Sequence, residues 1–223
     1  MNRKIFYGWW IVLACLVINL YVSGILFFGF TAFIDPLIRE FGWTYTQVSF
    51  AVSLRGMEMG IFAPLIGFLS DRYGARKLIL VGVLAVGLGL ILFSRTQSLL
   101  MFYGVILLMG FGAGGCTTVV TTTVVANWFK RNLGKALGLM SSGFGASGLM
   151  IPLIVWLIDT FQWRTTVLLL GVGFLVLGIP LAFVMRDKPE DYGFLPDGDP
   201  GSAESPASAA RLAQAWGSRN DRA

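Results

Sequence analysis

Arg55 and Glu58 stand three residues apart in a largely apolar stretch that begins near Thr46. On a helix that spacing puts both side chains on one face, about 14 to 18 Å along a segment that rises ~1.5 Å per residue. An arginine that deep in a bilayer costs about 2.5 to 3.5 kcal/mol even on the lenient insertion scale, so it must face protein or a water-filled cavity. Two chemistries are open to the pair. Each group can neutralise the other, which is a structural role. Alternatively, Arg55 offers its guanidinium to a substrate carboxylate, with Glu58 as charge partner or, once desolvated, as a proton carrier. Asn19 and Ser23, one turn apart at similar depth, can bond a substrate or a neighbouring helix equally well. The hydroxyls of Thr117, Thr118, Thr121, Thr122 and Thr123 can also bond their own helix carbonyls.

Other chemistries find no support. Gly110-Phe111-Gly112-Ala113-Gly114-Gly115 and Gly143-Phe144-Gly145-Ala146-Ser147-Gly148 both fit the G-x-G-x-x-G pattern. A dinucleotide site, however, needs a preceding strand and a helix start at a solvated crevice, and these runs fall inside long apolar stretches. There Gly110, Gly112, Gly114, Gly143, Gly145 and Gly148 read as helix-packing positions, because small residues let backbones approach where lipid supplies no hydrophobic drive. The same smooth faces suit helices that rock against one another. No histidine, no metal spacing around Cys15 or Cys116 and no nucleophile beside a base occur. Neither an enzyme nor a metal site nor a cofactor is expected. The net charge of +5 sits in short segments between apolar runs, not along one face, so nucleic acid is not an expected partner.

The elements that must hold these residues follow from composition. Hydrophobic residues make up 56% of the chain and charged residues 13%, against about a quarter charged in soluble domains. Apolar runs of about 18 or more residues read as membrane spans, and the absence of alternation makes them helices. Six spans are predicted, at about 8–34, 46–70, 77–94, 98–127, 133–158 and 164–185. The fold class is therefore an all-α membrane protein, one six-helix bundle over residues 1–186. The first run continues past Cys15 to about Ile34, too long for the apolar core of a signal peptide. A Gly, Pro, Ser and Ala-rich segment over 187–223 reads as a disordered cytoplasmic tail. Arg3, Lys4, Arg72, Arg76, Lys77, Lys130, Arg131, Lys135, Arg186 and Lys188 fall on one side, and only Arg39, Arg95 and Arg164 on the other. That asymmetry places both ends in the cytoplasm, and a bacterial-type inner membrane is the expected location. Trp9, Trp10, Trp43, Trp128 and Trp163 sit at span ends, as interfacial aromatics do.

Between the second and third runs stands Gly67-Phe68-Leu69-Ser70-Asp71-Arg72-Tyr73-Gly74-Ala75-Arg76-Lys77. It resembles the signature loop of the major facilitator superfamily, G-x-x-x-D-R-x-G-R-R-K, departing from it at Ala75, where the family often has a base. Three further segments look like the monocarboxylate transporter and oxalate/formate antiporter group. They are Tyr7-Gly8-Trp9-Trp10, the run Trp128-Phe129-Lys130-Arg131-Asn132-Leu133-Gly134-Lys135 leading to Ser142-Gly143, and Asp187-Lys188-Pro189-Glu190-Asp191-Tyr192-Gly193. Drug/proton antiporters are disfavoured, since Ile106 and its neighbours are apolar where that group carries an arginine.

The resemblance implies one half of a twelve-span transporter that carries small organic anions by alternating access, with proton coupling or exchange. It also implies a second six-helix bundle as partner besides the lipid bilayer and the anion. Gly67, Asp71, Arg72, Gly74, Arg76 and Lys77 would form the conformational gate, Asp71 contributing a latch between the halves. Three alternatives stay open: a truncated or frame-shifted half without activity alone, a half-size protein that pairs with a partner chain, or a non-transporting receptor.

Overall fold

The computed structural model describes residues 6–116, 118–187 and 189, with the side chains of Met59, Asp71 and Thr118 excepted. Every element among them is helical. The disordered tail expected beyond Asp187 lies almost wholly outside the described residues, as do Arg3, Lys4 and Lys188.

The first apolar run is not one uniform helix. α1 spans Tyr7–Ser23, passes into a π-helical turn at Gly24–Phe28 and a 3-10 turn at Gly29–Phe33, and resumes as α2, Ile34–Phe41. Gly24 and Gly29 mark the change because they lie against the last long helix, Met150–Val184: a Cβ on Gly24 would stand 2.6 Å from Met150 Sδ, and one on Gly29 would strike Ile154. α2 stops at Gly42, whose φ of 66° is left-handed and whose N–H returns to the Ile38 carbonyl.

α3, Tyr45–Tyr73, starts in a capping box in which Thr44 and Gln47 bond each other's backbone N–H. It bends by 42° between its segments Tyr45–Glu58 and Gly60–Ser70. Pro64 explains the bend, since a proline ring clashes with the carbonyl four residues back, here that of Gly60. Gly74 then reverses the chain at φ 86°, and α4, Ala75–Ser94, follows at once. α5, Leu99–Cys116, and α6, Thr118–Trp128, flank Thr117. α7, Leu133–Ala146, meets α8, Met150–Val184, through a 3-10 turn at Ser147–Leu149.

Four stretches are long and apolar enough to cross a membrane, Tyr7–Phe41, Ala75–Ser94, Leu99–Trp128 and Leu133–Val184, and the bent α3 supplies a fifth. The last holds 52 residues. Straight, it would run about 78 Å, over twice a hydrocarbon core of ~30 Å. Gln162, at φ 65° and ψ 156°, breaks it into two arms. The bundle is knitted where α4 meets α5 and α8, α1 meets α7, and α3 meets α5. Its outer surface is apolar too, with Leu100, Leu149, Met57, Ile61 and Val176 well exposed, an arrangement that water penalises and lipid accepts.

Candidate functional site

α3 carries Arg55 and Glu58 just before its bend, and both are buried, with 8% and 5% of their surfaces exposed. They share a face but engage different helices. Arg55 Nη1 donates to the Leu26 carbonyl in the π-helical turn. Its guanidinium lies 4.7 Å from the Phe27 ring and 6.0 Å from that of Phe30, contacts that soften the cost of burying a cation. Glu58 turns the other way, towards Gly110 on α5. Its Oε2 has no hydrogen-bond partner among the described residues. The salt bridge found among those residues joins Arg164 to Glu40, not Arg55 to Glu58.

A cleft of about 290 Å³ opens beside Arg55, between the first apolar run and α3. Phe27, Phe30 and Ile34 form one wall, Tyr45, Ser49 and Ser53 bring hydroxyls to the other, and Arg55 is the charged group lining it. The arrangement can hold one carboxylate against a cation with an apolar body against rings. Asn19 Nδ2 donates to Thr121 Oγ1 at 3.4 Å, linking α1 to α6, and Asn19 also borders a second cleft of about 290 Å³ with Met140, Ser141 and Phe144. Ser23 is buried one turn further along α1. Thr123 bonds the Val119 carbonyl of its own helix at 3.0 Å, while Thr117 lies outside the described residues.

The glycines divide by what faces them. A Cβ on Gly110 would collide with Glu58, one on Gly112 would stand 2.8 Å from Ala85 Cβ on α4, and one on Gly114 would strike Ile66 on α3. On Gly143 it would lie 2.5 Å from the Leu16 carbonyl oxygen. Gly145 and Gly148 face open space, as do Gly56, Gly60 and Gly67 of α3.

Sequence reasoning gave Asp187 no role beyond its motif, yet it organises one end of the bundle. Its Oδ1 accepts from the Arg76 N–H at 2.7 Å, supplying an anion to the start of α4, where backbone donors lack partners. Gly74 must be glycine here twice over, for its φ of 86° and because a Cβ would stand 2.7 Å from Asp187 Oδ2. Asn127 donates to the Asp187 carbonyl, Trp128 Nε1 to the Arg186 carbonyl, and the Tyr7 hydroxyl to that of Val184. Gly8 lies under the Phe129 ring. The segments that read as three separate motifs thus meet at one corner. Within the loop itself, Arg72 lies 5.7 Å from the Tyr73 ring and Lys77 is exposed. The Asp71 side chain lies outside the described residues. No local signal betrays the Asp187 cap, because the helix it serves lies 111 residues earlier in the chain.

At the opposite end Arg164 is the organiser. It bonds Glu40 and the carbonyls of Ser94 and Thr96, so it caps the end of α4. Its guanidinium also lies 4.7 Å from the Trp163 ring, and Trp163 Nε1 donates to the same Glu40.

An apolar helical bundle with a buried cation and a reversed loop of this composition is what the family comparison resolves. The sequence model of the Major Facilitator Superfamily matches residues 7–219. This chain belongs to that superfamily. As such, it is an integral, multi-pass membrane protein. It is similar to human monocarboxylate transporter 11, 33% identical over 167 residues, which are 74% of this chain and 35% of that protein. It is also similar to the uncharacterized MFS-type transporter YfiU of Bacillus subtilis (strain 168), 31% identical over 71% of this chain and 31% of the relative. The membrane sensor protein UhpC of Salmonella typhimurium is 25% identical over 82% of this chain and 43% of that protein. The superfamily chain spans only about a third of the length of the first of these relatives.

Proposed function

We propose that this chain forms one six-helix half of a secondary transporter for small organic anions, which works by alternating access against a second six-helix bundle. The observation that carries the reading is the state of Arg55: buried in an apolar bundle, held by a backbone carbonyl and two rings, and not in a salt bridge with the carboxylate three residues away. Such a cation keeps its charge for a ligand, and the adjoining cleft is sized for a small one. Relatives named monocarboxylate transporters support the anion class. Six crossings follow if Gln162 and the bend in α3 each lie within an antiparallel arrangement with both ends cytoplasmic. The open glycines on α3 and α7 support the second bundle, since glycines left against lipid gain nothing and glycines against a helix permit close packing.

Glu58, buried with its Oε2 left without a hydrogen-bond partner among the described residues, is the proton carrier in this reading. Uptake of labelled lactate, formate and oxalate into vesicles bearing the full-length protein tests the proposal. Arg55→Gln should abolish saturable uptake, and unchanged uptake removes Arg55 from the site. For Glu58→Gln, a pH dependence identical to the unaltered protein removes the proton role.

One observation favours a second reading. The match to a membrane sensor protein extends over more of this chain than the transporter matches do, which fits a receptor that binds its anion without moving it. Saturable binding of labelled anion with no accumulation inside vesicles would select that reading.

A further inference from the structure

We infer that Gly110 is a positioning residue: it provides the space that holds the Glu58 carboxyl on the α5 side, away from Arg55, and so keeps the guanidinium free for an anion. The second clause rests on the anion-site reading above; the first does not. Gly110 and Gly114 lie one turn apart and both face α3, whereas Gly112 faces α4. At Gly114 the neighbour is the flexible end of Ile66, which is ordinary close packing. At Gly110 the neighbours are the Glu58 carboxyl and, 3.3 Å from where a Cβ would sit, Cγ of Arg55. Among the glycines of α5, the one that meets both charged residues is Gly110.

An added methyl must displace that carboxyl. The Glu58 side chain then has one charged group on its own helical face to turn to, the guanidinium three residues back. Pairing there competes with the Leu26 carbonyl and with any substrate carboxylate. The glycine therefore decides which of two partners Arg55 is left to meet.

The experiment compares Gly110→Ala, Gly114→Ala, Glu58→Asp and the two double variants in the full-length protein. Asp is shorter by one methylene and keeps the carboxyl, so it relieves the collision without removing the charge. Thermal melting of detergent-solubilised protein should show Gly110→Ala melting on the order of 5 °C lower, with Glu58→Asp restoring more than half of the loss. Glu58→Asp should restore nothing in the Gly114→Ala background. Labelled lactate uptake should show KM raised at least about threefold for Gly110→Ala with little change in kcat, again relieved by Glu58→Asp.

Additive melting in the Gly110/Glu58 cycle overturns the inference whatever uptake does. Melting coupling with an unchanged KM keeps Gly110 as the seat of Glu58 and overturns its effect on Arg55. If the unaltered protein shows no saturable uptake, the anion reading fails, and the melting cycle alone decides where Glu58 is held. Should Gly110→Ala fail to fold, recovery of folded protein by Glu58→Asp supports the inference and continued loss overturns it.

Discussion

Arg164→Ala is the most demanding test of how the bundle is held at the end opposite Asp187. The guanidinium donates to the Ser94 carbonyl at 2.7 Å and the Thr96 carbonyl at 2.9 Å, pairs with Glu40 at 2.8 Å and lies against the Phe41 and Trp163 rings. Charged hydrogen bonds contribute about 1.5 to 3 kcal/mol each, but Arg164 is a third exposed, so about 1 kcal/mol for each carbonyl is the sounder figure. The ion pair adds roughly 0 to 1 kcal/mol and the ring contacts about 0.5 to 1 kcal/mol. These overlap and do not add fully, so a loss of about 2 to 4 kcal/mol is expected. At roughly 2 to 4 °C per kcal/mol for a chain of this size, the melting temperature should fall by about 5 to 15 °C. The Trp163 indole touches both Arg164 and Glu40, so the change in tryptophan emission on Arg164→Ala should vanish in a Trp163→Phe background. A melting shift under about 2 °C would show that these contacts do not hold this end of the bundle.

Four further substitutions probe the backbone and the packing faces. Gln162 occupies φ 65° and ψ 156°, a region almost reserved for glycine, so Gln162→Gly should raise stability by about 1 kcal/mol after the entropy cost of glycine, read as a higher melting temperature. Gly74→Ala meets both a left-handed φ and the Asp187 carboxylate, and should lower stability by about 2 kcal/mol or more in the same assay. Gly112→Ala should cost about 1 to 3 kcal/mol because Val86 N and the Gly82 carbonyl oxygen stand within 3.0 Å of its new methyl. Gly145→Ala, facing open space within this bundle, should leave the melting of the isolated chain unchanged or slightly raised, and should weaken co-purification with a second bundle if one packs there.

The helical, membrane-embedded fold class was legible because composition alone decides it: so few charges leave lipid as the only tolerable surroundings, and lipid forces the backbone into helices. The departures from α geometry were less so. The span over 46–70 reads without its bend at Pro64, and the first run reads as one span, because only the approach of Met150 and Ile154 to Gly24 and Gly29 shows why its winding changes there. Arg55 and Glu58 illustrate the same limit at the site. Spacing fixes that two side chains leave a helix on one face, but which neighbour each then meets depends on helices 29 and 52 residues away, at Leu26 and Gly110. Arg164 read only as one base among those counted for orientation, and Asp187 only as part of an exit motif. Capping rules look a few residues along the chain, and both of these groups cap α4 from the far side of the fold.

These placements share one logic. α4 has its first turn bonded by Asp187 and its last carbonyls by Arg164, so both of its ends are tied to the segments that bracket the second arm of α8. α4 and α8 also pack closely along their length, with Gly87 and Gly171 in contact. The segments around the cleft are built the other way. The first run loses α geometry at Gly24–Phe33, α3 bends between Glu58 and Gly60, and α7 meets α8 through a 3-10 turn. Departures of that kind weaken backbone hydrogen bonding and concentrate compliance. Arg55 joins two of those compliant segments through a single side chain. A carboxylate that draws the guanidinium from the Leu26 carbonyl would therefore loosen the first run from α3 at the point where both are already bent, while the α4–α8 pair stays fixed.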